Sequence, residues 1–257
     1  MAFDPKEFSL AGRTALIIGG AGGIGLALAQ GLHAAGASVA VAGRSQGALD
    51  KAVAALGQGG DKPFGYSVDA RSPERLRELA GTIEADHGSL HILINCQGTT
   101  AIKPALEVSE EEYDAILDTN LKSVYFACMA FGARMVERRD GAIINITSVS
   151  ARNGWANAAA YCASKWGVSG LTQSLAAEWG NDGVRVNAIA PGFFLTDLNR
   201  DRMSPQRKEQ AVQRDAMKRM GQVDELAGAA VYLASEAARF VTGTELRVDG
   251  GWLASGI

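Results

Sequence analysis

The sequence predicts an α/β fold, with one doubly wound parallel sheet and helices on both of its faces. Short apolar runs alternate with helical patterns along all 257 residues, and this order of elements builds a parallel sheet. The runs are apolar on both sides, as strands buried on both faces are. No Pro/Ser-rich linker and no internal repeat interrupts the alternation, so we expect residues 1–257 to form a single domain.

The elements follow one another in a regular order. Seven runs are predicted as strands, the third and the last being weaker: Thr14–Ile18, Ser38–Ala42, Phe64–Val68, Leu90–Asn95, Ala142–Thr147, Val184–Ala190 and Glu245–Val248. Six stretches are predicted as helices: Gly23–Ala35, Gln46–Leu56, Pro73–Asp86, Glu110–Arg138, Ala158–Trp179 and Asp224–Ala234. Two helix starts carry capping signals, Ser72 before Pro73 and Ser109 three residues before Glu112.

Composition and charge argue against several classes of protein. The net charge is −3 and the basic residues are scattered, which predicts no binding of nucleic acid. No apolar run approaches the ~18 residues of a membrane span, and the first residues lack the build of a secretory signal. Cys96, Cys128 and Cys162 have neither disulfide nor metal-ligand spacing. We therefore expect free thiols, no metal site, no membrane association and a cytoplasmic location.

A glycine-rich loop follows the first predicted strand and opens the first predicted helix. It reads Gly19-Gly20-Ala21-Gly22-Gly23-Ile24-Gly25. Glycines let the backbone turn sharply and approach a pyrophosphate, which then faces the amides of the helix N-terminus. The strand before this loop and the helix after it are the context expected of a dinucleotide site. A glycine-rich turn without a ligand is the alternative.

The end of the second predicted strand indicates which dinucleotide binds. Sites for NAD place Asp or Glu there to hold the ribose hydroxyls, whereas this sequence has Gly43, Arg44 and Ser45. A guanidinium can fork onto a 2′-phosphate, and a serine hydroxyl can donate to it. The sequence favours NADP(H), with NAD(H) as the second choice if Arg44 is only a solvated residue at a helix start.

Ser148, Tyr161 and Lys165 form the candidate catalytic set. Tyr161 and Lys165 are four residues apart in a helical pattern and so project from one face. Ser148 follows a predicted strand at its carboxyl end, where an open parallel sheet binds its ligands. Hydride reduction of a ketone needs a proton donor at the carbonyl oxygen, and a nearby ammonium favours the tyrosinate and lowers the pKa of the phenol. A serine hydroxyl can hold the substrate oxygen at a fixed distance from that phenol.

In their order and spacing these motifs resemble the short-chain dehydrogenase/reductase family, in its form of roughly 250 residues. Asn95-Cys96-Gln97-Gly98 stands where that family has an NNAG strand end, and Asn187–Gly192 with Thr196 matches its nicotinamide-side loop. The resemblance implies a Rossmann fold, an adenine contact at Asp69, and Asn120 as a fourth catalytic residue beside Ser148, Tyr161 and Lys165. Ile18, Cys96 and Gln97 depart from the family pattern without removing a catalytic group.

The glycine loop, the strand ends and the resemblance together give a set of expected cofactor contacts. It comprises Gly19, Ala21, Gly22, Gly23, Ile24, Gly25, Arg44, Ser45, Asp69, Ala70, Asn95, Gly98, Tyr161, Lys165, Pro191, Gly192, Phe194 and Thr196.

The substrate site is expected beside the catalytic set. Its predicted residues are Ser148, Ser150, Trp155, Tyr161 and Phe193, and the polar residues 195–220 are predicted to be an inserted lid. Residues 8–13 and 191–196 look like the gluconate 5-dehydrogenase branch of the family, which implies an alcohol–ketone oxidoreductase acting on a sugar, a polyol or a sugar acid.

Two other functions stay open at this point. A 3-oxoacyl-[acyl-carrier-protein] reductase would dock an acidic carrier on basic residues. Arg139 fits that role, but Ala177 and Asp182 stand where such reductases carry arginines. A non-catalytic NADP(H)-binding sensor is more remote, because it would not need all four catalytic residues.

The helices predicted at 110–138 and 158–179 carry more apolar residues than one stripe over a sheet requires. The excess consists of Tyr125, Phe126, Met129, Phe131, Trp166, Leu171 and Trp179. Related enzymes bury the equivalent helices and the C-terminal segment between subunits, and residues 250–257 here are apolar enough to do the same. Two isologous interfaces imply a homotetramer.

Overall fold

The computed structural model describes residues 4–57, 64–196 and 203–255. Its strands are β1 (Thr14–Ile18), β2 (Ser38–Gly43), β3 (Phe64–Ser67), β4 (Ile92–Asn95), β5 (Gly141–Ile146), β6 (Val184–Pro191), β7 (Phe194–Leu195), β8 (Gly221–Gln222) and β9 (Glu245–Val248). Seven of them pair in parallel in the order β3-β2-β1-β4-β5-β6-β9, and β7 pairs with β8 beside this sheet. The predicted α/β fold with a parallel sheet is confirmed.

The helices lie between the strands. They are α1 (Gly23–Ala34), α2 (Gln46–Leu56), α3 (Pro73–His87), α4 (Glu110–Leu117), α5 (Ser123–Arg138), α6 (Ala159–Trp179), α7 (Pro205–Arg214) and α8 (Ala227–Ala234). Both predicted caps form: Ser72 accepts from the amide of Arg75, and Ser109 and Glu112 make the two bonds of a capping box.

Successive strand residues pack on opposite faces of the sheet. Leu16 and Ile18 of β1 join one core cluster with side chains of α3, α5 and α6, while Ala15 and Ile17 join another with side chains of α1, α2 and α8. Because both faces are covered by helices, the strands read as continuous apolar runs.

The strand order reverses direction between β1 and β4. From β1 the chain continues to β2 and β3 on one side, and β4 leads to β5 and β6 on the other. Ile18 at the end of β1 is in register with Asn95 at the end of β4. In open α/β sheets the ligand crevice lies outside the carboxyl ends of the strands at this reversal.

One predicted helix, Glu110–Arg138, is wrong as a single α-helix. Residues 118–122 form a π-helical turn between α4 and α5, and this turn carries the fully buried Asn120. A π turn inserts one residue into a helix, often at a functional site, and shifts the faces that follow. The apolar pattern on either side is helical, so the sequence pattern did not reveal the insertion.

The segment predicted as a lid, residues 195–220, contains the end of β7 and helix α7. Residues 197–202 of that segment lie outside the described residues. Helix α7 begins after Ser204, whose side chain accepts from the amide of Arg207.

The apolar residues that suggested an assembly differ in exposure, and Phe126, Met129 and Leu171 are partly buried against the core. Tyr125 and Trp166 are 43% and 50% exposed. Phe131 and Trp179 are buried in the core, where Trp179 packs so closely on Gly132 that a Cβ at Gly132 would lie 2.6 Å from its ring. The expectation that Phe131 and Trp179 add to an apolar surface is therefore wrong.

Candidate active site

The glycine loop is held tightly between β1, β4 and the first turn of α1. Gly19 has φ +83°, and a Cβ there would lie 2.7 Å from the amide nitrogen of Gln97. A Cβ at Gly25 would overlap the carbonyl oxygen of Gly19. Glycine is required at both positions, because the loop backbone lies against the strand end on one side and against the helix on the other.

The outer part of this loop is less crowded. Among the described residues, a Cβ at Gly22 would meet no atom within 4 Å, and one at Gly23 would meet only the Thr196 side chain, at 3.8 Å. The loop therefore offers bare backbone amides at the start of α1, with Thr196 of the nicotinamide-side loop beside them. This shape and these donors fit a pyrophosphate.

The expected adenosine end lies at the ends of β2 and β3. Arg44 and Ser45 are exposed after β2. Asp69, which follows β3, is held by a fork from Arg71, with Nη2 to Oδ2 at 2.6 Å and Nε to Oδ1 at 3.0 Å. This hydrogen bonding, with a smaller contribution from the charge of Arg44, lowers the pKa of Asp69. The carboxylate is thus oriented by Arg71 and favoured in its ionised form.

The predicted catalytic side chains come together at the carboxyl ends of β4 and β5. Lys165 Nζ lies 5.9 Å from the centre of the Tyr161 ring and donates to the carbonyl of Ile146 at 2.8 Å. Ser148 hydrogen-bonds to Tyr161, and its Oγ also accepts from the amide of Ser150 at 3.1 Å. The spacing of these residues in the sequence predicted this grouping correctly.

The protonation of the pair differs from the expectation. Burial raises the pKa of Tyr161, and the hydrogen bond from Ser148 opposes this only in part. Burial also lowers the pKa of Lys165 to about 8. Desolvation is the largest contribution for both groups, and the pKa of Tyr161 is raised above its usual value, whereas the sequence predicted that it is lowered.

Asn120 is fixed by three hydrogen bonds on the π turn. Its Oδ1 accepts from the amide of Thr99 at 2.7 Å, and its Nδ2 donates to the Thr99 carbonyl at 2.9 Å and to Ser164 Oγ at 3.0 Å. Ser164 lies on α6 between Tyr161 and Lys165, and sequence reasoning did not single it out. The presence of a serine at this position does not indicate a functional role, since a buried serine in a helix usually hydrogen-bonds only to the backbone of the same helix.

Three residues depart from the family pattern at the glycine loop and the end of β4. Ile18 is fully buried, and Gln97 Nε2 donates to Ser123 Oγ at 3.0 Å, which ties the strand end to α5. Burial raises the pKa of the Cys96 thiol to about 11. Cys96 is therefore an uncharged neighbour of Lys165.

Three predicted contact residues have enclosed side chains. Asn95 is buried and donates to Asn145 Oδ1 at 2.9 Å, joining β4 to β5. Phe194 packs in the core cluster that includes Ile146 and Ile189, and Ser150 is fully buried. The expected contacts of these three residues with a cofactor or substrate stay predictions, since Ser148 and Lys165 of the candidate catalytic set are buried to a similar extent.

An aromatic cluster lies against Tyr161. Trp155 stacks on Phe193, with ring centres 5.1 Å apart, and lies 6.1 Å from the Tyr161 ring. Trp252, from the C-terminal segment, lies 5.6 Å from Phe193 and 6.2 Å from Trp155. The sequence indicated Trp155 and Phe193 as substrate contacts, but it placed Trp252 only in an apolar tail.

Several basic residues of the described surface are engaged with carboxylates. Lys103 pairs with Glu112 at 2.5 Å, and Arg152 pairs with the buried Glu245 at 2.8 Å. Arg139 pairs with Asp182 at 3.2 Å. Within the described ranges, no group of three or more His, Cys, Asp or Glu is arranged to hold a metal ion. No helix there combines the length and apolarity needed to cross a membrane.

A glycine loop at the strand reversal, next to a Ser–Tyr–Lys set, defines a dinucleotide-dependent oxidoreductase of alcohols and ketones. A family model described as enoyl-(acyl carrier protein) reductase matches residues 19–253. D-threitol dehydrogenase of Mycolicibacterium smegmatis is 37% identical over 246 residues, covering 96% of this chain and 95% of that protein. Gluconate 5-dehydrogenase of Gluconobacter oxydans is 37% identical over 248 residues, covering 96% and 97%.

Solved structures agree with this likeness. The crystal structure of a gluconate 5-dehydrogenase from Burkholderia cenocepacia in complex with NADP and tartrate aligns with a TM-score of 0.93 at 35% identity, covering 98% of this chain and 99% of that one. The chain belongs to the short-chain dehydrogenase/reductase family. It is an NAD(P)-dependent enzyme that interconverts a secondary alcohol and a ketone.

Proposed function

We propose that the enzyme is an NADP(H)-dependent dehydrogenase of a sugar acid or polyol. The most direct support comes from two relatives, each 37% identical over 96% of this chain. One is a dehydrogenase of a polyol and the other is a dehydrogenase of a sugar acid. The Ser148–Tyr161–Lys165 geometry supplies the chemistry for such a substrate. The open glycine loop supplies the place for the cofactor.

The catalytic roles follow from the contacts of each side chain. Ser148 and Tyr161 hold the substrate oxygen between two hydroxyl groups, and Tyr161 transfers the proton. Because the raised pKa keeps Tyr161 protonated at neutral pH, the site is ready to protonate a carbonyl oxygen in reduction. Lys165, whose Nζ lies 5.9 Å from the centre of the Tyr161 ring, is proposed to return a proton to Tyr161, and Asn120 is proposed to extend that path. The bound cofactor supplies or accepts the hydride at the substrate carbon.

The cofactor is proposed to lie along the strand ends from β3 to β6. Its pyrophosphate faces Gly19–Gly25, its adenosine lies by Asp69 and Ala70, and its nicotinamide lies by Gly98, Pro191 and Thr196. The preference for NADP(H) is supported by the exposed Arg44 and Ser45 and by the absence of an acid at the end of β2. Solved relatives with bound NADP are consistent with it.

Reduction of an acyl-carrier substrate is the competing function. A 3-oxoacyl-[acyl-carrier-protein] reductase of Staphylococcus epidermidis is 34% identical over 242 residues. An acidic carrier protein needs free cations to dock on, and here the candidate cation Arg139 is paired with Asp182. The described surface therefore favours a small substrate over a carrier protein.

The assembly and the location are also proposals. Tyr125 on α5 and Trp166 on α6 are exposed aromatic side chains suited to a two-fold helix interface. Strand β9 is the edge of the main sheet, and the C-terminal segment follows it, which suits a second interface. We expect a homotetramer. The three free thiols fit a reducing cytoplasm.

A substrate panel tests the proposed function. Purified enzyme with NADP is offered polyols and sugar acids, and enzyme with NADPH is offered 3-oxoacyl thioesters, each followed by nicotinamide absorbance. Turnover of a polyol or sugar acid at least 100-fold above that of any acyl thioester is the expected result. A higher kcat/KM on acyl thioesters would overturn the proposal.

A further inference from the structure

The aromatic cluster beside Tyr161 extends to a cation on the inserted segment. The guanidinium of Arg214, the last residue of α7, lies 4.0 Å from the ring centre of Trp252. Trp252 in turn contacts Phe193 and Trp155, and Trp155 lies against Tyr161. A continuous row of side chains thus leads from the proton-transferring phenol to Arg214.

Arg214 differs from the neighbouring basic residues because its guanidinium is paired with an aromatic ring and, among the described residues, not with a carboxylate. Lys103 and Arg152 are each paired with a carboxylate. Arg214 lies over an aromatic face, and none of the ion pairs formed among the described residues includes it. A cation–π contact orients a guanidinium without neutralising it, so its charge stays available to an anion.

The same cluster contains two buried hydrogen-bond donors. The indole N–H groups of Trp155 and Trp252 are enclosed and have no acceptor among the described residues, and Trp252 is only 5% exposed. Buried indole N–H groups usually find a partner, and one left without an acceptor is destabilising. A ligand rich in oxygen atoms, bound at the edges of these rings, would supply the missing acceptors.

We propose that Trp155, Phe193, Trp252 and Arg214 form a specificity site that selects a sugar acid over the neutral polyol of the same length. Arg214 binds the carboxylate, the indole N–H groups donate to substrate oxygens, and the ring faces cover the C–H surface of the carbon chain. The proposal rests on the proposed function and narrows its substrate class to anions.

The test compares D-gluconate with D-glucitol, which has the same six-carbon chain with a neutral CH2OH in place of the carboxylate. Arg214→Gln is compared with Arg214→Lys and with Arg77→Gln, which removes an exposed arginine from α3. Two readouts are used: KM and kcat with NADP, and the dissociation constant of each compound from the NADPH-loaded enzyme, measured by tryptophan fluorescence.

The expected result is a preference of the wild type for D-gluconate and at least a tenfold weaker binding of D-gluconate to Arg214→Gln, with kcat within threefold. Binding of D-glucitol should be unchanged, Arg214→Lys should recover part of the loss, and Arg77→Gln should match the wild type. Trp252→Phe, which keeps a ring but loses the N–H, should weaken binding of both compounds.

The outcomes separate the two proposals. Equal effects of Arg214→Gln on D-gluconate and D-glucitol, or no effect on either, would overturn the specificity site while leaving the proposed function intact. If the enzyme oxidises no polyol or sugar acid of the substrate panel but still binds D-gluconate in an Arg214-dependent way, the proposed function is wrong and the specificity site stands. Binding of neither compound overturns the specificity site as well.

Discussion

The side-chain amide of Asn120 donates a 3.0 Å hydrogen bond to the hydroxyl of Ser164, which itself donates to the backbone carbonyl of Tyr161 at 2.7 Å. This relay of two bonds joins the π turn to the helix that carries Tyr161 and Lys165. All of these groups are buried or nearly so, and the position of one element therefore sets that of the other.

Ser164→Ala removes the acceptor for one hydrogen of the Asn120 amide. A buried donor left unpaired costs about 1–3 kcal/mol, so the π turn should shift relative to Tyr161. We expect kcat to fall about tenfold, because a rise of about 1.4 kcal/mol in the activation free energy lowers a rate tenfold. KM for NADP should stay within twofold. Steady-state kinetics measure both, with Ser174→Ala on the exposed face of α6 as the control. An unchanged kcat would show that the relay does not position the site.

Tyr161→Phe should abolish turnover with little effect on cofactor affinity. Only the hydroxyl is lost, and its proposed task is proton transfer to the substrate oxygen, which typically contributes 10²–10⁴-fold. Rates with the preferred substrate and titration of NADPH fluorescence check the two halves of this statement. Residual activity within a few-fold of the wild type would contradict the catalytic assignment.

Arg44→Asp should move the cofactor preference from NADP(H) towards NAD(H). The substitution replaces a partner for the 2′-phosphate with a charge that repels it and that can accept from ribose hydroxyls. We expect the ratio of kcat/KM values for NADPH and NADH to fall by at least 100-fold. Arg71→Gln serves as a comparison, because Arg71 is forked onto Asp69. A wild type that already prefers NADH would show that the end of β2 has been misinterpreted.

Lys165→Met should change how stability depends on pH. The pKa of Lys165 is about 8 in the folded chain against 10.5 for the reference side chain. Between pH 8 and pH 10.5 the amine is therefore protonated in the unfolded chain and neutral in the folded chain. Wild-type stability therefore rises with pH across this window and is lower below pH 8. The stability of Lys165→Met relative to the wild type should decrease by about 3 kcal/mol between pH 8 and pH 10.5. Urea unfolding at several pH values measures this, and a constant difference would contradict the buried ammonium.

Trp166→Lys should break the proposed assembly. Trp166 is half exposed on α6, and a charge there would have to be buried in a helix–helix interface, at high free-energy cost. Light scattering should give a tetramer for the wild type and a smaller species for the variant. Lys51→Glu on the exposed surface of α2 provides a charged control. A wild-type mass near one chain would refute the assembly.

Much of the fold was accessible from the sequence, because strands buried on both faces leave continuous apolar runs such as Val184–Ala190. The catalytic set was equally accessible, since Tyr161 and Lys165 share a helix and Ser148 ends a strand. The break at residues 118–122 was not, because an inserted residue leaves the local composition of a helix intact. Burial also shifts the pKa values of Tyr161 and Lys165, and a sequence contains no measure of desolvation.

The aromatic cluster shows a second kind of limit. Trp155 and Phe193 could be predicted as substrate contacts from their proximity in sequence to catalytic loops. Trp252 and Arg214 reach the same place from the C-terminal segment and the inserted segment, and no local pattern relates them. Contacts between such distant stretches follow from the path of the chain, which periodicity does not reveal.

The π turn also determines which changes in length this enzyme can accept. Deleting one residue between 118 and 122 would allow a regular helix, but would rotate everything before the deletion by roughly 100° against everything after it. Either Ile116 or the pair Phe131 and Met135 would then leave the core. Insertions and deletions at residues 118–122 should accordingly not be tolerated, even where single substitutions on the exposed side of this segment have no effect.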